Sequence, residues 1–141
     1  MTFELDVRLS RDCFVLGKLR FSHVLLLNNS AVPWFVLVPE TSVTELCDLP
    51  ENQLDLLMSE TRHLSALIRE GVPGSPQVEK LNVAAIGNIV RQLHVHVIGR
   101  FTGDAYWPGT VWGHPAAGHY SNSQVEAIVE HLVTHLEGFG L

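Results

Sequence analysis

One segment is long and periodic enough to fix its own secondary structure: PENQLDLLMSETRHLSALIREG, residues 50–71. Leu54, Leu57, Leu64, Leu67 and Ile68 fall on one stripe at helical spacing. Pro50 suits a first turn and Gly71 a stop. The chain on either side of it has a different period. CFVLGKLRFSHVLLLNN (13–29) reads as two strands around a short turn near Lys18 to Ser22, and PWFVLVP (33–39) as a third, bounded by Pro33 and Pro39. EKLNVAAIGN (79–88) reads as a fourth strand and QLHVHVIGR (92–100) as a fifth, with Gly87 and Asn88 near the turn between them. SVTELCDL, after the third strand, reads as a short helix. Ser123 with Glu126 makes a capping box for a last helix, whose apolar stripe is Val125, Ile128, Val129, Leu132 and Leu136. Strands first, one long helix in the middle and a helix at the end predict an α+β fold with an antiparallel sheet of about five strands. The 141 residues are one domain's worth, 1–141, long enough to bury a core.

Composition narrows the function classes. The net charge is −6 with His neutral, so no basic patch is available to neutralise the phosphates of a nucleic acid or a membrane surface. The longest apolar runs, such as VLLL at 24–27, are far too short to span a bilayer. The N-terminal stretch carries Glu4, Asp6 and Arg8 early and has no apolar signal core, which predicts a cytoplasmic protein. Cys13 and Cys47 form no metal-type or redox-type pair, so both are expected as reduced thiols.

The fifth strand interrupts an apolar run twice with imidazole. Residues two apart on a strand share a face, so Leu93, Val95 and Val97 line one side, expected as core, and Gln92, His94, His96 and Ile98 the other. Three readings of that second face are open. The pair can be half-buried, hydrogen-bonded structure. It can hold a metal, since imidazole suits several transition ions, although a catalytic zinc needs a third ligand and His63, His114 and His119 stand at no recognisable spacing. It can perform nucleophilic catalysis at phosphorus, one ring nitrogen attacking while the other donates to a fixed acceptor, with a second His donating to the phosphate or the leaving group. For that chemistry Gly87 offers a close backbone N–H and Asn88 a side-chain donor.

FTGDAYWPGTVWGHPAAGHYSN (101–122) is a long irregular segment, and such loops in compact domains are often functional. Trp107 and Trp112 read either as core plugs or as walls for a nucleobase. The wall reading is assigned to Trp107, because the loop directly follows the His strand. His63 is expected to be solvated or to face a partner copy. His131 and His135 lack a His-Glu-x-x-His pattern and read as a surface pair.

QLHVHVIGR resembles the signature of the histidine triad (HIT) superfamily, His-x-His-x-His-x-x with hydrophobic x, often followed by Pro-Arg or Gly-Arg. NNSAVPWFVLVP is similar to the family's upstream strand region, and LNVAAIGN to the strand that carries an Asn and ends at a glycine-containing phosphate loop. Within the superfamily the chain most resembles small bacterial HIT-like proteins described as dinucleoside-polyphosphate hydrolases. The resemblance implies a nucleophile at His94, assistance at the phosphate from His96, and a nucleotidyl-histidine intermediate in hydrolysis or transfer of nucleoside monophosphates. It also implies that Asn82 is the strand Asn, Gly87 the loop glycine, and Asn28 or Asn29 the ribose contact. Homodimers are implied, with the long helix and adjoining strand at the interface, and chemistry with no obligatory metal or other cofactor. The alternatives from other classes are a non-catalytic nucleotide-binding module and a His-pair metalloprotein. Three positions depart from the pattern. Gln92 stands for the first His, Ile89 for the hydroxyl residue after the loop glycine, and Ser42 is nearest to the His that often follows the third strand. On strand period the Gln92 amide is expected at the edge of the phosphate site.

Overall fold

A computed structural model describes residues 2–141. The elements are α1 (Val7–Asp12), β1 (Cys13–Lys18), β2 (Ser22–Leu27), β3 (Trp34–Pro39), a 3-10 turn (Leu46–Asp48), α2 (Glu51–Glu70), β4 (Lys80–Ala84), β5 (Val95–Arg100) and α3 (Asn122–His135). The five strands form one sheet in the order β1-β2-β3-β5-β4, every pairing antiparallel. This is the α+β arrangement the sequence predicts. Among the described residues, no helix is long and apolar enough to cross a membrane.

Three details differ from the sequence reading. Helix α1 was not expected, because six residues are too few to show a period. It forms because the Asp6 carboxylate accepts from the Arg8 backbone N–H and caps it. The capping box of α3 lies two residues earlier than predicted: Ser121 accepts from the Gln124 N–H, and the Gln124 side chain accepts from the Ser121 N–H. Both strands around the 85–94 connection are shorter than their apolar runs, since β4 ends at Ala84 and β5 begins at Val95. His94 therefore stands just ahead of the ladder.

The two faces of the sheet are covered differently. On one, Phe35, Leu37, Leu93, Val95 and Val97 pack against Leu57, Leu64, Leu67 and Ile68 of α2 and against Ile128 and Leu132 of α3. The predicted core face of the His strand is thus the helix face. Gly99 permits the close approach of α2 to β5: a Cβ there would meet Val78, Pro33 and Ile68 at 2.6, 2.8 and 2.9 Å. On the other face, Trp34, Val36, Val38 and Ile98 lie under Leu9, Tyr106 and Val111, contributed by α1 and by the segment after β5.

That segment carries few backbone ladders and is held by side chains. Arg100, 2% exposed, donates from Nε and Nη2 to the two oxygens of Asp104 at 2.9 and 3.0 Å, and from Nη1 to the Gly109 carbonyl at 2.8 Å. Asp104 also accepts from the Phe101 and Tyr106 N–H groups. Asn29 ties down the far half. Its Nδ2 donates to the Tyr106 hydroxyl at 2.8 Å and its Oδ1 accepts from Ala31 and Ala117.

Candidate functional site

His94 and His96 stand side by side as predicted, ring centroids 4.9 Å apart and 70° between planes. Both are buried, at 6% and 8% exposure. The hydrogen bond each ring makes decides its proton. His94 Nδ1 lies 2.6 Å from the Gln92 carbonyl oxygen, which can only accept, so Nδ1 carries the hydrogen and Nε2 keeps its lone pair. In His96 the arrangement is reversed. The Trp34 indole Nε1–H donates to His96 Nδ1 at 2.9 Å, which puts the proton of the neutral ring on Nε2. Burial, with the neighbouring His94 adding to it, pushes the His96 pKa down to about 4, so the ring is neutral at physiological pH. The pair therefore offers one free nitrogen base and, next to it, one N–H donor.

The aromatic neighbour of the pair is not Trp107. Trp112 packs edge-on to His96 at 5.3 Å and to Trp34 at 5.8 Å, completing an aromatic wall. Trp107 lies over the Arg100 guanidinium at 5.7 Å. That is four residues further along β5, about 13 Å away at ~3.3 Å per residue. Proximity in sequence favoured Trp107, but Arg100 and Asp104 fold the chain over before it returns to the site. Trp34 was read only as a strand residue. Its register opposite Ile98, and that of Val36 opposite His96, put it on the His face. An indole on that face was the available signal.

The loop between β4 and β5 turns at Gly87, whose φ of +65° needs a glycine although a Cβ would find room. None of the backbone N–H groups of Gly87, Asn88 and Ile89 donates to a backbone carbonyl. Asn88 is exposed. A cleft of about 280 Å³ runs from Ala85, Ile86 and Gly87 to Thr44 through Cys47, with Gln92 and His94 in its wall. A second groove of about 360 Å³ lies beyond Trp34, lined by Arg11, Asp12, Asn28, Asn29, His114 and His119.

Four predicted binding residues are engaged within the protein. Gln92 turns its amide to the N-terminal segment, Oε1 accepting from Asp6 N–H at 2.8 Å and Nε2 donating to the Glu4 carbonyl at 2.9 Å. Only its main-chain carbonyl serves His94. Asn82 accepts from Arg100 Nη1 at 2.9 Å, and the amide of Asn29 is bonded to Tyr106 and Ala117 of the long segment and to Ala31. Asn28 Oδ1 accepts from Tyr120 N–H at 2.9 Å, which leaves its Nδ2 available in the groove. Among the described residues, no group of three or more His, Cys, Asp or Glu is arranged around a common point for a metal. The metal reading therefore rests on two imidazoles alone. His131 and His135, with rings 4.6 Å apart, line a separate cavity between α2 and α3 together with His63.

The model of the HIT domain family matches residues 8–103, most of the chain and all of this site except Trp112 and the residues around it. The chain belongs to the HIT domain family. Solved structures agree. A histidine triad protein from Marinobacter aquaeolei VT8 is 39% identical, with 99% of this chain and 100% of that one covered and a TM-score of 0.88. Others from Sinorhizobium meliloti 1021 and Bradyrhizobium japonicum are 38% and 36% identical. Each covers 96% of this chain, with 98% and 99% of their own length and TM-scores of 0.88. No curated protein matches the chain. In this HIT protein the first triad position is thus a glutamine that supplies a main-chain acceptor and clasps the N-terminal segment.

Proposed function

We propose that this HIT protein is a nucleotide phosphohydrolase or nucleotidyltransferase working through a nucleotidyl-histidine at His94, on dinucleoside polyphosphates or related conjugates of nucleoside monophosphates. The observation that carries the reading is the opposite locking of the two rings. His94 Nδ1–H is held on the Gln92 carbonyl and its Nε2 is free, while His96 is held by the Trp34 N–H with its own N–H facing outward. His94 Nε2 attacks phosphorus and a P–N bond forms. The ring becomes cationic, which strengthens its bond to the Gln92 carbonyl. The leaving group departs with the electron pair of its bond to phosphorus. Water, or an acceptor alcohol in transfer, then attacks phosphorus, the P–N bond breaks, and the attacking oxygen's proton goes to solvent. His96 donates a hydrogen bond to a phosphoryl oxygen throughout. It does not give up its proton, because a neutral imidazole is far too weak an acid. Phosphate leaving groups, stable as anions, suit such a site better than amines, which need a proton. Unpaired N–H groups of the 87–89 loop supply further donors to the phosphate oxygens. The groove holding Asn28 lies on the His96 side and takes the nucleoside.

The test is a panel of dinucleoside polyphosphates and nucleoside phosphoramidates, each with and without EDTA, for the wild type and His94→Ala. His94→Ala is expected to lose at least about a thousandfold in turnover, ~4 kcal/mol of barrier, while its fold and nucleotide binding persist. Retention of more than a tenth of the wild-type rate would remove His94 as the nucleophile.

The same reading includes a cytoplasmic homodimer. Strand β4 is a sheet edge with Val83 half exposed, and Met58 of α2 is 41% exposed. Thr61 of the same helix is buried with its hydroxyl on the Leu57 carbonyl. Edge strands with exposed apolar side chains invite pairing with a second copy. Light scattering at tens of micromolar is expected to give twice the 15.6 kDa chain mass, and a single-chain mass would exclude the dimer.

A further inference from the structure

An acidic chain that handles phosphates needs a local cation, and the His94 loop has lost a donor. Ile89 offers no hydroxyl and is 80% exposed. The residue bound to that position is Arg8, brought in from α1. Its Nη1 donates to the Ile89 carbonyl at 3.1 Å, from a residue 81 positions away in sequence. Its Nε and Nη2 are held by the two oxygens of Asp6 at 3.1 and 2.9 Å. The guanidinium is thus fixed in direction at both ends while the side chain stays 43% exposed. Nη1 and Nη2 each carry a second hydrogen with no partner among the described residues.

Its place along the site is set by its neighbours. The Asp6 backbone N–H is bonded to Gln92, so Asp6 and Arg8 flank the site on the Gln92 side of His94. Trp34, Trp112 and the groove with Asn28 lie on the His96 side. A substrate whose nucleoside occupies that groove and whose phosphorus faces His94 Nε2 directs its leaving group the other way. Arg91, the loop's own cation, is exposed and has no side-chain partner to aim it. Arg11 pairs with Asp12 and lines the nucleoside groove.

We propose that Arg8 is a further substrate-contact residue of the His94 site, binding the phosphate oxygens of the leaving group. It does so from outside the histidine motif, with part of its charge offset by Asp6. This inference rests on the nucleotide reading above. The arrangement suits a leaving group that is itself a phosphate or polyphosphate, since a planar cation with two outward N–H groups matches paired phosphoryl oxygens.

The experiment is calorimetric binding of AMP and ADP in EDTA, in a His94→Ala background so that nothing turns over. Arg8→Gln, Arg11→Gln, Arg91→Gln and Asp6→Asn are each compared with that parent. ADP stands for a nucleoside phosphate extended by one further phosphate. Arg8→Gln is expected to weaken ADP by about tenfold and AMP by less than about threefold, the size of one charge-assisted contact partly offset by Asp6. Arg11→Gln and Arg91→Gln should leave the ADP-to-AMP ratio unchanged. Asp6→Asn keeps an N-cap but frees the guanidinium, so it should tighten ADP relative to AMP. Its opposite sign keeps the inference testable if Arg8→Gln folds poorly. An ADP-to-AMP ratio unmoved by both Arg8→Gln and Asp6→Asn would overturn the inference and leave the nucleotide reading standing. A parent that binds neither nucleotide would remove both.

Discussion

The two faces of the sheet solve the same problem by different means. The helix face is closed by α2 and α3 mainly through apolar contact, with Leu57, Leu64, Ile68 and Leu132 at 0% exposure and one buried side-chain tie, Glu60 accepting from the Phe21 N–H at 2.9 Å. Dispersion and the hydrophobic effect are non-directional, so many shapes of side chain would do there. The histidine face is closed by α1 and the 101–120 segment, which have too little regular structure to cover a sheet by packing alone. Directional bonds hold them: Arg100 with Asp104, Asn29 with Tyr106, Gln92 with Asp6. Directional bonds fix atoms to a few tenths of an ångström. The same network therefore backs the indole that locks His96, through Trp112, and holds the residue whose carbonyl locks His94. The face that needs exact placement is built from exact contacts, and the face that needs only to be dry is built from oil.

The sharpest contrast is between Asp104 and Leu64. Asp104→Ala leaves the buried Arg100 charge unpaired and is expected to cost about 3–5 kcal/mol. It should also lower kcat in whatever fraction remains folded, because Trp112 loses its place against His96. Leu64→Ala leaves a cavity at a position with 0% exposure and is expected to cost about 2–5 kcal/mol, with kcat per folded molecule unchanged. Chemical denaturation read beside activity on folded protein separates them. Equal effects on kcat would erase the distinction between the faces.

Next in size is a pH effect confined to the histidine face. The His96 pKa is about 4 folded against 6.5 for the free side chain, so the folded state disfavours the proton. The sign follows: the full stability is present above pH 6.5 and is lost as pH falls from there to about 4. The loss amounts to no more than about 3.5 kcal/mol at ~1.4 kcal/mol per unit. His96→Gln cannot titrate, so wild-type stability minus variant stability should decline over that window. A difference flat in pH between 6.5 and 4 would show that the buried ring is not the titrating group.

The smallest expected effect is at Gln92. Its amide clasps the N-terminal segment and its carbonyl serves His94, and a carbonyl is present whatever the side chain. Gln92→His should change kcat by less than about tenfold, under ~1.4 kcal/mol, and should weaken the clasp. A thousandfold gain would mean that the natural site is short of a proton-transfer group, and would shift the reading towards a binding module.

The helix face was legible in the sequence almost completely. Its stripe at 54, 57, 64, 67 and 68 and the odd positions 93, 95 and 97 are periodic, and period is what packing against a flat partner requires. The histidine pair and its shared face were legible for the same reason. The residues that tune the pair were not. Trp34 is joined to His96 across 62 residues and Arg8 to Ile89 across 81, and no local pattern marks such a bond. The amides differ in a related way. The resemblance implied ligand contacts for Asn29 and Asn82, and strand period placed Gln92 at the edge of the phosphate site. Amides with little solvent contact must first be satisfied, and here the long segment bonds Asn29, the N-terminal segment Gln92 and Arg100 of β5 Asn82.

The ties across the histidine face also order events during synthesis. Asp6 waits for Gln92, 86 residues later; Asn29 waits for Tyr106 and Ala117, 77 and 88 later; Asn28 waits for Tyr120, 92 later. A nascent chain on the ribosome can pair β1, β2 and β3 and wind α2 while its first dozen residues and the inner side of β3 still lack their cover. The reactive face of this protein therefore closes only after Tyr120 has been made, and the helix face later still, when α3 supplies Ile128 and Leu132.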